Sequence, residues 1–131
     1  MKKILLVFII SSFAFPASSK WKKIFENKTF TEYLEIDAVK KIDDIIFIWS
    51  VVDFKKLQKN GNLSTKYYSM YNCKEMKFKI LTVIEYPTNM GKGRDFTYTK
   101  NITNVLKDAN WVYPAQNSID YIKFSFICDQ P

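Results

Sequence analysis

The stretch Ile45-Ile-Phe-Ile-Trp-Ser-Val-Val-Asp-Phe54 is nearly continuously apolar and rich in β-branched and aromatic residues. Such a run is typical of a strand whose two faces are both covered, because residues of this kind favour a pleated, buried position. We therefore expect residues 45–54 to form the central strand of a sheet. The segments on either side are interpreted relative to this strand.

Upstream of this strand, Phe30 to Asp37 alternates apolar and polar residues, with Phe30, Leu34 and Ile36 on one face. This pattern predicts a half-buried strand. Residues 38–44 are mostly polar and predict a turn or a short helical turn. Downstream, residues 55–64 contain Asn60-Gly61 between charged residues, which indicates a solvated hairpin loop.

Two further strands are predicted after the loop. Thr65 to Cys73 places Tyr67, Ser69 and Tyr71 on the same face as Cys73. The strand from Met76 to Tyr86 is expected to place five apolar residues together, namely Met76, Phe78, Ile80, Ile84 and Tyr86. Residues 87–93 are rich in Pro, Asn and Gly and predict a loop, which a short strand at Arg94 to Thr99 follows.

The last segment, Ser118 to Cys128, changes period. Ile119, Ile122 and Phe126 recur at helical spacing, Ser118 is a suitable N-cap, and Asp120 favours the first turn of a helix. A strand is the alternative, since polar and apolar residues also alternate over residues 121–127. We favour the helix.

Cys73 and Cys128 are the only cysteines of the chain. An even number of cysteines in an exported chain argues for a disulfide, with two free buried thiols as the alternative. We predict a Cys73–Cys128 disulfide. The expected fold is α+β, with an antiparallel sheet of about five to six strands and a C-terminal helix that packs on one face and is tethered by this disulfide.

The beginning of the chain has the pattern of a signal peptide. Lys2 and Lys3 precede an apolar run that is shorter than a membrane-spanning helix. Ala17 and Ser19 suit the positions before a cleavage site, so we expect residues 1–19 to be removed, with an uncleaved tether as the alternative. Residues 20–131 would then form one domain, whose formal charge falls from +7 to +5. Without a lipoprotein cysteine, we expect no membrane anchor after cleavage and release to the periplasm, the cell surface or the medium.

Several short segments in this order resemble the surface-adhesin protein E family of small exported bacterial domains. The resemblance is carried by Trp21, Tyr33–Asp37, Phe47–Asp53, Ser69, Cys73, Lys74–Lys79, Tyr86, Met90–Gly93, Trp111–Pro114, Ser118 and Cys128. It implies an antiparallel sheet with a disulfide-tethered C-terminal helix. It also implies adhesin-like binding to host extracellular matrix or serum proteins, although no binding motif of the family is found in the sequence.

The composition argues against the common catalytic sites. The chain has no histidine, which excludes Ser-His-Asp and Cys-His arrangements and most zinc sites. Glu32, Glu35 and Asp37 could in principle form a carboxylate pair for glycoside cleavage, but alternation places Glu35 and Asp37 on a strand face that is more simply explained as solvated. We therefore expect no enzyme, no catalytic residue, no cofactor and no metal.

The candidate contact surface combines basic and aromatic side chains around the predicted hairpin. Its residues are Lys55, Lys56, Lys59, Lys66, Tyr67 and Tyr68. A solubilising charged loop is the simpler interpretation. The functional hypothesis is an electrostatic contact with acidic envelope glycans or acidic protein segments, and an exported chain makes nucleic acid an unsuitable partner. A periplasmic accessory or structural role is the alternative to adhesion.

Overall fold

The computed structural model describes residues 20–94 and 111–129, which contain one antiparallel sheet and one α-helix. The strands are β1 (Trp21–Glu26), β2 (Phe30–Glu35), β3 (Lys40–Ile42), β4 (Ile45–Phe54), β5 (Ser64–Asn72) and β6 (Lys77–Tyr86), and the helix is α1 (Ile119–Cys128). Two 3-10 turns cover Ile36–Ala38 and Asn89–Gly91. The spatial order is β1-β2-β4-β5-β6, and β3 pairs with the first residues of β4. The prediction of β4 as the central strand is confirmed.

The core lies between α1 and one side of the sheet. It is formed by every second residue of the central strands together with two helix residues: Leu34, Ile46, Ile48, Tyr71, Phe78, Phe124 and Ile127. Burial of these side chains follows directly from strand alternation, because residues two apart point to the same side of a sheet. The expected α+β architecture is therefore confirmed.

Strand β6 departs from the predicted pattern. Its pairing with β5 shifts register between Tyr68 and Ser69. Tyr68 pairs with Thr82 and Ser69 pairs with Ile80, so β6 has one extra residue between these two pairs. Such a bulge reverses the faces of all the residues that follow it. The prediction that Ile84 and Tyr86 share a face with Phe78 is therefore wrong. Met76 also lies outside the strand, in a turn.

The C-terminal segment is a helix, as predicted, and the hydroxyl of Ser118 accepts a hydrogen bond from the amide of Tyr121 at its N-terminus. The side of the helix that is buried differs from the prediction. Lys123, Phe124 and Ile127 face the sheet, whereas Ile122 is 45% exposed. The physical reason is that Lys123 reaches a buried acceptor in the sheet, which rotates the helix away from the apolar stripe that the sequence suggested.

The disulfide is also confirmed. Cys73, which follows β5, is bonded to Cys128, the last residue of α1, with 5.5 Å between the two Cα atoms. The cross-link fastens the end of the helix to the sheet and closes a loop of 55 residues. On the chain-entropy model a loop of this length stabilises the fold by about 4 kcal/mol.

Some elements were not predicted or cannot be compared. Strand β1 and the short strand β3 were missed, and β2 ends at Glu35 because Ile36 begins a 3-10 turn. The predicted signal peptide and the predicted strand after Arg94 lie outside the described residues. Within residues 20–94 and 111–129, no helix is long and apolar enough to cross a membrane.

Candidate functional site

The side of the sheet opposite α1, called the far face below, is rich in aromatic side chains. Pairing and alternation bring six aromatic residues and one lysine to it: Trp21, Tyr33, Phe47, Trp49, Tyr68, Tyr86 and Lys66. They come from five different strands and surround the middle of β4 and β5. The far face thus carries an aromatic surface outside the core.

Three of these residues form a continuous aromatic cluster. Trp49 and Tyr68 are directly paired across β4 and β5, and their ring centroids are 4.9 Å apart. Phe47 stacks on Tyr68 at 6.2 Å. Each of the three side chains is only half-buried. Aromatic pairs of this kind contribute about 0.5–1.5 kcal/mol beyond the area they bury, which stabilises the cluster, called the aromatic platform below.

A lysine lies beside this platform. The ammonium of Lys66 lies 5.6 Å from the centroid of the Trp21 ring and 5.4 Å from that of Tyr86. Rings on both sides of an ammonium attract it through their negative faces. Lys66, Trp49 and Tyr86 line a depression of about 250 Å³ together with Glu35 and Ile84. A positive charge is therefore held at a fixed position within the aromatic surface.

One end of the far face is closed by the turn Asn89–Gly91. Asp53 accepts hydrogen bonds from the amide of Met90 at 2.7 Å and from the side-chain amide of Asn89 at 3.0 Å. The hydroxyl of Ser64 accepts from the amide of Gly91 at 2.7 Å. Gly91 has φ +57°, and a Cβ atom there would lie 2.4 Å from Cε of Lys66. The turn therefore favours glycine at the point where it contacts Lys66.

The six residues of the predicted contact surface do not lie together. Lys66 and Tyr68 lie on the far face, whereas Tyr67 points to the helix side, where its ring lies 6.0 Å from the ammonium of Lys123. Lys56 and Lys59 are exposed in the loop after β4. Neighbouring residues of a strand alternate between its two faces, and this alternation separates Tyr67 from Lys66 and Tyr68.

Lys55 differs from the other lysines because it is engaged in a surface ion-pair network. Its ammonium donates to Oε1 of Glu26 at 2.7 Å, and Lys23 donates to Oε2 at 2.9 Å. The hydrogen bond from Lys55, and then that from Lys23, lower the pKa of Glu26 to about 2. Much of the charge of Lys55 is therefore already compensated within the protein.

The sequence did contain a signal for the residues that were missed. Alternate positions of β4 carry Phe47 and Trp49, so strand alternation alone places these two aromatic residues on one face. Because both faces of β4 were expected to be covered, an accessible aromatic surface on this strand was not predicted. Trp21 and Tyr86 were missed because β1 and the bulge in β6 were not predicted.

A second polar site lies on the helix side of the sheet. Nζ of Lys123 donates to Oε1 of Glu32 at 2.5 Å and to the hydroxyl of Ser50 at 3.1 Å. Burial lowers the pKa of Lys123, but the charges of Tyr71 and Glu32 and their hydrogen bonds outweigh this, so the net shift is upward. The groups around Lys123 therefore favour its charged form.

The three carboxylates considered for catalysis are separated. Glu32 is paired with Lys123 on the helix side, Glu35 lines the depression on the far face, and Asp37 lies in an exposed 3-10 turn. In addition, no three His, Cys, Asp or Glu side chains among the described residues are grouped so that they could hold a metal ion. This arrangement does not support the hydrolase hypothesis.

Comparisons with known proteins point to one family. A family model described as surface-adhesin protein E matches residues 21–129. Two solved structures of Haemophilus influenzae protein E have a similar fold. One has a TM-score of 0.61 at 13% identity and covers 80% of this chain and 91% of the other. The second has a TM-score of 0.60 at 15% identity and covers 85% of each. No curated protein sequence matches the chain.

Proposed function

The chain belongs to the surface-adhesin protein E family, and on this basis we propose that it is an exported, non-enzymatic binding protein that attaches to a host matrix or serum protein through its far face. The observation that carries the proposal is the half-buried cluster of Phe47, Trp49 and Tyr68 beside the fixed ammonium of Lys66. The disulfide and the helix serve to hold the sheet that presents this surface.

The aromatic cluster supplies the apolar part of the contact. Tryptophan and tyrosine dominate the residues that contribute most to protein interfaces, because they offer a large area with few rotatable bonds. Trp49 and Tyr68 are already fixed against each other at 4.9 Å, so little conformational entropy is lost when a partner covers them. A contiguous aromatic patch that remains partly accessible on a small domain is a candidate interaction site.

Lys66 supplies charge at the same place. Its ammonium is held between Trp21 and Tyr86, and the whole chain carries a formal charge of +7. A basic surface increases the rate at which acidic partners associate and favours acidic segments over basic ones. The preferred region of a partner protein is therefore an acidic segment that also carries apolar side chains.

The proposed function requires that the protein is exported. Residues 1–19 have the composition of a signal peptide, and the family match begins at residue 21. Removal of these residues and formation of the Cys73–Cys128 disulfide in an oxidising compartment would produce the mature domain. Its location, on the surface, in the medium or in the periplasm, decides between adhesion and the alternative role of a periplasmic accessory protein.

The proposal is tested by presenting the mature domain to an array of immobilised matrix proteins, serum proteins and acidic bacterial envelope glycans. We expect saturable binding to at least one host protein, weakened as NaCl rises from about 50 to 500 mM because screening acts on exposed charges. Binding to acidic glycans alone, or to none of these ligands, would contradict it.

Protease treatment of intact cells tests the location of the protein. Protection of the protein until the outer membrane is opened would favour the periplasmic alternative.

A further inference from the structure

A cavity separate from the far face lies between the first turns of α1 and the sheet. Its volume is about 350 Å³, at the lower end of the range for small-molecule sites. Glu32, Asp120 and Lys123 line it, and Glu32 and Lys123 are almost completely buried. Charged groups in such a position are costly unless they are paired, so this is a built polar site and not a packing defect.

The charge of the cavity is opposite to that of the protein. Two carboxylates, Glu32 and Asp120, line it beside one ammonium, and that ammonium is already bound to Glu32 at 2.5 Å. Burial raises the pKa of the Tyr71 hydroxyl, the charge of Lys123 opposes this rise, and the smaller effects of Glu32 and Asp120 add to it. The chain as a whole carries +7. The cavity is thus a negatively charged site in a basic protein.

Aromatic side chains form part of the cavity walls. Phe30, Tyr67, Tyr71 and Phe78 line it from three strands, and Tyr71 and Phe78 stack at 5.4 Å. Ring faces attract cations, and several rings around one site are the usual means of holding an alkylated ammonium group. The ammonium of Lys123 lies 6.0 Å from the centroid of the Tyr67 ring, at the outer limit of a cation–π contact.

We propose that this cavity binds a compact organic cation of the alkylammonium class, with the aromatic rings around its alkyl groups and Asp120 as its counter-charge. Asp120 lies at the exposed first turn of the helix and offsets the partial positive charge of the helix N-terminus. The Lys123–Glu32 pair forms the neutral inner end of the cavity, so the ligand need not displace it. This site does not depend on the far face.

The test compares choline with its uncharged isostere 3,3-dimethylbutan-1-ol and with benzoate, each titrated into the disulfide-bonded domain while amide chemical shifts are followed. We expect choline to shift the amides of residues 119–123 and to bind about tenfold more tightly than the isostere. Asp120→Asn should reduce this preference to about twofold or less. Asp129→Asn is the matched control at the other end of α1 and should leave it unchanged.

Three results would overturn the proposal. Equal binding of choline and the uncharged alcohol would show an apolar cavity without charge selection. Preferential binding of benzoate would show an anion site at Lys123 and the helix N-terminus. Shifts outside residues 119–123 and the cavity walls, or no saturation below about 50 mM choline, would show that no site for this class exists here. Because Asp120 is exposed, its substitution is not expected to prevent folding.

Discussion

Lys123 donates a hydrogen bond of 2.5 Å to Glu32 across 91 positions of sequence, and both side chains are buried. This contact joins the middle of α1 to β2, while the disulfide joins the end of the same helix to the segment after β5. The helix is therefore fixed at two separate points. This arrangement covers one side of the sheet with the helix and leaves the far face without a helix over it.

Breaking the ion pair between Lys123 and Glu32 should strongly destabilise the fold. Replacing both residues with apolar ones should cost less stability. Lys123→Met leaves the Glu32 carboxylate buried without its partner, and we expect a loss of about 3–5 kcal/mol in the free energy of unfolding. The double variant Lys123→Met/Glu32→Leu should recover at least half of this loss, because no charge remains buried. Urea unfolding of the three proteins measures the effect, and a single variant within about 1 kcal/mol of wild type would refute the assigned role.

Stability should fall at alkaline pH. The pKa of Lys123 is raised above 10.5, so its stabilising effect is complete below the unfolded value and is lost as pH rises through the folded value. Burial also raises the pKa of Tyr67 and Tyr71 above 10.0, so unfolding releases protons from these groups over the same range. The unfolding free energy should therefore decrease above about pH 10, and less steeply in Lys123→Met. A flat profile to pH 11.5 would contradict this reasoning.

Reduction of the disulfide should cost about 4 kcal/mol, since it releases a loop of 55 residues in the unfolded chain. Thermal unfolding with and without reductant measures the loss. The variant Cys73→Ser/Cys128→Ser provides the control, because its stability should be low and should not respond to reductant. If the wild-type transition does not move on complete reduction, the helix is held by other contacts.

The turn on the far face provides a matched pair of glycine substitutions. Gly91→Ala and Gly93→Ala both place a side chain at positive φ, which should cost about 1 kcal/mol each. Only at position 91 does the new Cβ lie 2.4 Å from Lys66, so this variant should also displace Lys66 from the rings of Trp21 and Tyr86. We expect Gly91→Ala alone to weaken partner binding. Equal binding by both variants would show that the position of Lys66 is unimportant.

Much of the fold follows from local patterns in the sequence. The apolar run Ile45–Phe54 predicted its strand with the observed bounds, Ser118 marked the start of the helix, and two cysteines were sufficient to predict the disulfide. These features depend on neighbouring residues or on the compartment in which the protein folds. The bulge in β6 could not be predicted, because it depends on how two strands match and not on either strand alone.

The sites were less predictable for the same reason. The sequence grouped Lys66, Tyr67 and Tyr68 by proximity, but a strand sends Tyr67 to the side opposite the other two. The platform of Trp49 and Tyr68 and the pair of Lys123 and Glu32 each join residues far apart in the chain. Only the pairing of the strands and the rotation of the helix bring them together.

The most direct test of the far face as the binding surface measures binding of the mature domain to its host-protein ligand before and after Trp49→Ala and Tyr68→Ala. Ile122→Ala, which removes an exposed apolar side chain from the opposite side of the molecule, is the control. Circular dichroism and urea unfolding confirm that each variant is folded. We expect each far-face substitution to weaken binding by about tenfold or more, and Ile122→Ala to leave it unchanged. Folded far-face variants that bind as wild type, or loss of binding in Ile122→Ala, would contradict the account.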